Sequence, residues 1–252
     1  EIRNCDWSSD VCSSDLMRLA SNEPVIEDCM KDVHENLTVG RLLLVLAALH
    51  LLIACASDKH LKLADGYYQE GVALLTADPQ RAFISFQRAV QENPKHKDAQ
   101  YYLGHLYAQQ GKLDLAEQRF REVLRIDPDY SEAHTYLGQV LAQRGLWEEA
   151  ITSYRRALAN PLYVTPDLAR FHLGRALAHQ GEMEEAIRAY EDALLVSPLS
   201  VPEEALRFEL GRAYYRLGRD EEAREALVRV VSLDQNGQYA DAANELLGRL
   251  RP

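Results

Sequence analysis

The stretch Tyr101-Tyr102-Leu103-Gly104-His105-Leu106-Tyr107-Ala108-Gln109-Gln110-Gly111-Lys112-Leu113-Asp114-Leu115-Ala116-Glu117-Gln118-Arg119-Phe120 decides the fold. Gly104 belongs to one helix and Ala116 to a second. Small residues at both places let two antiparallel helices approach. Gly111 turns the chain between them, because glycine tolerates positive φ. Phe120 is bulky and is expected to fill the space between this unit and its neighbour.

The same grammar recurs along the chain. Leu-Gly pairs stand at Leu103-Gly104, Leu137-Gly138, Leu173-Gly174 and Leu210-Gly211, with Glu70-Gly71 as a weaker first copy; the glycine spacings are 33, 34, 36 and 37. Seven residues after each Leu-Gly glycine comes a second one, Gly111, Gly145, Gly181 or Gly218. Five further on is an alanine, Ala116, Ala150, Ala186 or Ala223, and four beyond that Phe120, Tyr154, Tyr190 or Leu227. Val123, Ala157, Ala193 and Val230 follow; Pro94, Pro128 and Pro198 close several copies; the first copy contributes Ala82, Phe86 and Ala89. No single copy can bury its apolar face, so stability must come from stacking neighbours.

This register resembles the tetratricopeptide repeat from Ala64 to about Gln235. The resemblance implies an all-α, right-handed superhelical solenoid of stacked antiparallel helix pairs: about five repeats over residues 64–237 and a capping helix over 238–252, where Tyr239–Leu250 is amphipathic. Locally, Asp129-Tyr130-Ser131-Glu132 and Ser200…Glu203 read as capping boxes, and Thr165-Pro166 as a cap followed by a first-turn proline.

Composition agrees and narrows the function. The 252 residues carry a formal net charge of -11, which argues against a nucleic-acid partner. The four cysteines, Cys5, Cys12, Cys29 and Cys55, all lie before the repeats. Residues 1–16 have no helical or strand period and resemble a translated sequencing-library adapter; they are set aside as an artefact. Residues 17–54 read as a leader starting at Met30. Lys31 and Arg41 supply positive charge, and the apolar run from Leu42 to Ala54 is too short for a comfortable bilayer span. Leu52-Ile53-Ala54-Cys55 resembles the bacterial lipobox. That resemblance implies lipidation of Cys55, a lipidated tether over 55–63 and anchoring by acyl chains. Ala56, in place of aspartate, leans toward the outer membrane, with the protein on its periplasmic face.

Family geometry implies a concave face lined by the first helix of each copy. Counting from the glycines, it carries Tyr68, Tyr101, Tyr102, His105 and Gln109, then Thr135, Tyr136, Gln139 and Gln143, then Phe171, His172, Arg175, His179, Phe208, Arg212, Tyr215 and Arg216. This is an aromatic groove with a basic end, suited to a protein partner presented as an extended or helical peptide. The chaperone-type carboxylate clamp needs lysine and asparagine where Tyr101 and His105, or Thr135 and Gln139, stand, so that variant is not expected.

No phosphate-binding glycine loop, nucleophile elbow or metal-ligand spacing occurs. No cofactor, metal or catalytic residue is expected, and the chain is not read as an enzyme. Glu148-Glu149, Glu184-Glu185 and Glu221-Glu222 read as acidic first turns of second helices. Lipobox and repeats together resemble the type IV pilus biogenesis and stability lipoproteins, the pilotin family of PilW and PilF. The segment Asn160-Pro161-Leu162-Tyr163-Val164-Thr165-Pro166-Asp167-Leu168-Ala169 is similar to an insertion found there, although those proteins have about six repeats. The resemblance implies a scaffold that helps a pilus secretin localise or assemble. The alternative is an envelope adaptor lipoprotein that recruits peptidoglycan hydrolases or other periplasmic complexes.

Overall fold

A computed structural model describes residues 58–234 and 237–250. The expected leader, its start at Met30 and the expected lipidation of Cys55 lie outside the described residues. From residue 61 onward the described residues form one compact unit.

Eleven helices and no strand occur among the described residues. Helix α1 spans residues 58–74, so part of the segment expected as a tether is already helical. There follow α2 (Pro79–Glu92), α3 (Lys97–Gln109), α4 (Leu113–Ile126) and α5 (Ser131–Gln143). Then come α6 (Trp147–Leu158), α7 (Pro166–Gln180), α8 (Met183–Leu194), α9 (Glu203–Arg216), α10 (Asp220–Leu233) and α11 (Gln238–Leu247). These are five antiparallel pairs and one closing helix, the all-α solenoid that the repeat implies. The closing helix does not grow into a sixth pair among the described residues.

Each pair is locked by one close approach. A Cβ on Gly104 would stand 2.8 Å from the Phe120 ring, on Gly138 2.5 Å from Tyr154 and on Gly174 2.5 Å from Tyr190. The ring therefore lies flat against bare backbone within its own pair. Phe120 differs here from the expectation that it chiefly fills the gap to the next copy; it does both, because its far side meets Tyr136 at 6.2 Å between centroids. Phe86, Phe120, Tyr154, Tyr190 and Leu227 are all fully buried. The turn inside each of the last four pairs uses a left-handed glycine; φ at Gly111 is 72°.

Consecutive helices pack along the whole unit, and from α3 onward each first helix also touches the next one: α3 with α5, α5 with α7, α7 with α9, α9 with α11. The second helices show no comparable row. First helices therefore line the inner side of the curve, which sets the site.

The helix starts depart from the expected capping boxes. Tyr130, not Asp129, precedes α5, Pro202 precedes α9, and neither these nor Thr165 accepts a capping hydrogen bond on its side chain. Pro166 does sit in the first turn of α7. In two copies the position seven before the Leu-Gly glycine instead ties one copy to the next. Lys97 pairs with Asp127 at 2.7 Å. Asp167, fully buried, accepts hydrogen bonds from the Ser200 and Val201 backbone N–H groups, at 2.6 and 2.9 Å, and from the Ser200 hydroxyl. Ser131 holds this position in the copy before the insertion, and its buried hydroxyl has no partner among the described residues. There the tie moves to Thr135, whose Oγ1 lies 2.8 Å from the Tyr163 hydroxyl of the insertion.

Candidate functional site

The inner face divides into an aromatic wall and a basic cleft. The wall is built from Tyr68 on α1, Tyr101, Tyr102 and His105 on α3, and Tyr136 on α5. Tyr102 stacks on Phe86 at 5.0 Å and meets Tyr68 at 6.0 Å. His105 sits 3.8 Å from Tyr136 and 4.6 Å from Tyr101, centroid to centroid. All five are half-buried, while Gln109 at the helix end is exposed. Burial holds the His105 imidazole down at about 4, so it is neutral at pH 7. Burial likewise raises the Tyr101 hydroxyl above the ordinary tyrosine range, with Tyr136 the next contributor. These rings brace one another and stay partly open to solvent.

Thr135 is not part of the face. It is 0% exposed, covered by the Tyr163 of the insertion. The sequence register placed it correctly on a first helix but gave no sign that the insertion folds back over it.

The basic end becomes a cleft of about 320 Å³ between α5, α6, α7, α8 and α9. It gathers seven of the expected residues: Gln139, Gln143, His172, Arg175, His179, Arg212 and Arg216. Phe171 and Phe208 do not line it, but Arg175 and Arg212 each stand 5.7 Å over one of their rings. Tyr215 is half-buried outside it. His172 is held near 4 by burial, helped by Arg175, and is neutral at pH 7. His179 stacks on Trp147 at 3.8 Å.

Several lining residues escaped the sequence reading: Glu209, Trp147, Met183, Tyr154 and Tyr190. Glu209 occupies the register of Tyr102, Tyr136 and His172, two before the Leu-Gly glycine, so the same count would have found it. Trp147 and Met183 open second helices, each nine after that glycine. Tyr154 and Tyr190 read as packing residues from sequence, and both are, but both also reach the cleft. Glu209 lies 3.0 Å from Arg212 and 4.0 Å from Arg175. Arg216 donates to the Ala178 carbonyl at 3.4 Å.

The cleft therefore holds three guanidinium groups against one carboxylate, with the His172 beside them neutral. That balance of charge suits an anion. Among the described residues, no group of three or more His, Cys, Asp or Glu side chains is arranged to hold a metal. The paired glutamates stand in the first turns of α6, α8 and α10 as expected. No described helix is long and apolar enough to cross a membrane.

Comparison with known families finds a model described as Tetratricopeptide repeat matching residues 73–131, 105–163 and 137–200, and a second of the same description matching 177–246. No curated protein sequence matches. Among solved structures, Pseudomonas aeruginosa PilF aligns with a TM-score of 0.60 at 18% identity, over 77% of this chain and 92% of its own. PilW, described as a widely conserved type IV pilus biogenesis factor, aligns at 0.60 and 22% identity, over 74% and 92%. MamA aligns at 0.58 and 23% identity, over 66% and 94%. At these identities the likeness is one of fold.

Proposed function

The chain belongs to the tetratricopeptide-repeat family, and on that premise we propose that it is a protein-binding scaffold of a bacterial envelope, anchored through a lipid on Cys55 and serving type IV pilus biogenesis. The observation that carries the binding role is the inner face itself: a braced aromatic wall continuing into a cleft with surplus positive charge, on a chain whose net charge is -11. Aromatic and arginine side chains are the groups that dominate protein interfaces. A fixed array of this kind binds a segment of a partner at little entropic cost to itself.

The cellular role rests on other residues. The apolar run ending in Leu52-Ile53-Ala54-Cys55 supports a lipoprotein on the periplasmic face of the outer membrane. The insertion around Pro161-Leu162-Tyr163, and the shared fold of PilF and PilW, support a place in pilus assembly, where the scaffold would hold a secretin subunit during localisation or multimer formation. MamA shares the fold equally, so the fold alone does not choose among roles.

The test is capture of the native chain from crosslinked envelopes, with partners identified by mass spectrometry. A recovered secretin, with loss of secretin multimers on deletion of the gene, is the expected result. Recovery of wall hydrolases without a secretin, and multimers intact, would replace the pilus role by that of an envelope adaptor. Radiolabelled palmitate should enter the chain and be lost in Cys55→Ser; equal labelling of both would remove the anchor.

A further inference from the structure

Tyr190 is 0% exposed and lines the cleft, yet its hydroxyl has no hydrogen-bond partner among the described residues. A buried hydroxyl without a partner costs folding free energy. Packing does not require it. Phe86 and Phe120 occupy the same place over Gly71 and Gly104, equally buried, without a hydroxyl. The repeat thus contains its own control: the ring belongs to the fold, and the oxygen is extra.

Its surroundings say what the oxygen can serve. The charged groups acting on the Tyr190 phenol are Glu209, Arg175, Arg212 and Arg216. Glu209 already neutralises one guanidinium equivalent, held between Arg212 and Arg175. Among the described residues Arg216 forms no ion pair and rests only on a long bond to a carbonyl. A phenol O–H without a partner and surplus guanidinium charge, on residues that line one cleft, match an oxygen anion. Glu209 shows in place that a carboxylate fits between these arginines. The inner face runs on from the cleft into the aromatic wall, so a chain lying along it would present side chains downward.

We infer that this cleft is a subsite for the carboxylate of an aspartate or glutamate side chain in an extended partner peptide, with Tyr190 donating its hydroxyl and Arg175 and Arg216 supplying charge. The inference rests on the binding face proposed above and names the chemistry of one part of its partner.

The probes are acetylated, amidated pentapeptides, Gly-Leu-Glu-Leu-Gly and its glutamine counterpart, read by the fluorescence of Trp147, the single indole of the sequence once residues 1–16 are set aside. The glutamate peptide should bind at least about tenfold tighter than the glutamine peptide. Tyr190→Phe should weaken the glutamate peptide roughly tenfold, leave the glutamine peptide unchanged and not lower the melting temperature. Equal binding of the two peptides, no response to either, or an unaltered glutamate affinity in Tyr190→Phe overturns the subsite. A glutamine peptide with a free C-terminal carboxylate that binds better than the glutamate peptide overturns the side-chain assignment. If Tyr190→Phe captures the same envelope partner in the same yield while the peptides fail to discriminate, the scaffold stands and the subsite falls.

Discussion

A single missing methyl group organises each pair. At Gly174 a Cβ would press on the Tyr190 ring at 2.5 Å, and that ring is fully buried with nowhere to turn. Alanine in a helix gains up to about 1 kcal/mol over glycine, but overpacking a tight contact costs about 1–3 kcal/mol or more. The clash should win, so Gly174→Ala should lower stability in chemical denaturation. Gly66, on α1, has nothing within 4 Å of such a Cβ. Gly66→Ala should therefore raise stability by up to about 1 kcal/mol; a loss there would mean the contact argument misreads these positions. Two histidines give a pH signature. His105 and His172 are held near 4, whereas unfolded imidazole titrates near 6.5. Between those values the unfolded chain binds more protons, so stability falls as pH drops from about 6.5 toward 4. In His105→Phe/His172→Phe the fall in melting temperature across that window should be shallower; an identical slope would place the acid loss elsewhere.

At the scale of elements, what matters is how one pair is joined to the next. Asp167 at the start of α7 holds the loop before α9 through three hydrogen bonds, and burial there is outweighed by those bonds, which keep its carboxyl below the usual range. Asp167→Ala strands those donors and should cost about 2–3 kcal/mol. Tyr163→Phe removes one bond to Thr135 and should cost about 1 kcal/mol, small enough to separate from a loss of the ring itself. Both are read as shifts in urea midpoint. These joints were the least legible part of the sequence. The pairing residues sit at fixed register because the close approach of two helices demands one small and one large side chain. The joints do not, because Lys97, Ser131 and Asp167 share a register position but use it differently once the following loop changes length. The same reason explains the misplaced capping boxes: Ser200 looks like a cap but spends its hydroxyl on Asp167. Glu209 was legible in principle, whereas the orphaned Tyr190 oxygen was not, since its lack of a partner exists only in three dimensions.

At the scale of the whole unit, stability is a sum over neighbours. The last neighbour is α11, which buries Ala240 and Ala243 and lays Tyr239 5.7 Å from Phe208. Ending the chain after residue 236 should uncover the apolar faces of α9 and α10, lower the melting temperature and induce binding of a hydrophobic dye. A truncated chain that melts unchanged would mean that α10 closes the stack by itself.

In four of the five pairs the glycine and the side chain lying over it are 16 residues apart, while the step from one copy to the next drifts from 33 to 37. Length is thus conserved inside a copy and free between copies. A copy behaves as a cassette: duplication or loss of one by slippage leaves every remaining contact of its kind intact, and an insertion such as that around Tyr163 can enter a junction while the glycine contact in the copy on either side is kept. The inner face can therefore be lengthened, or edited one subsite at a time, without inventing a new fold.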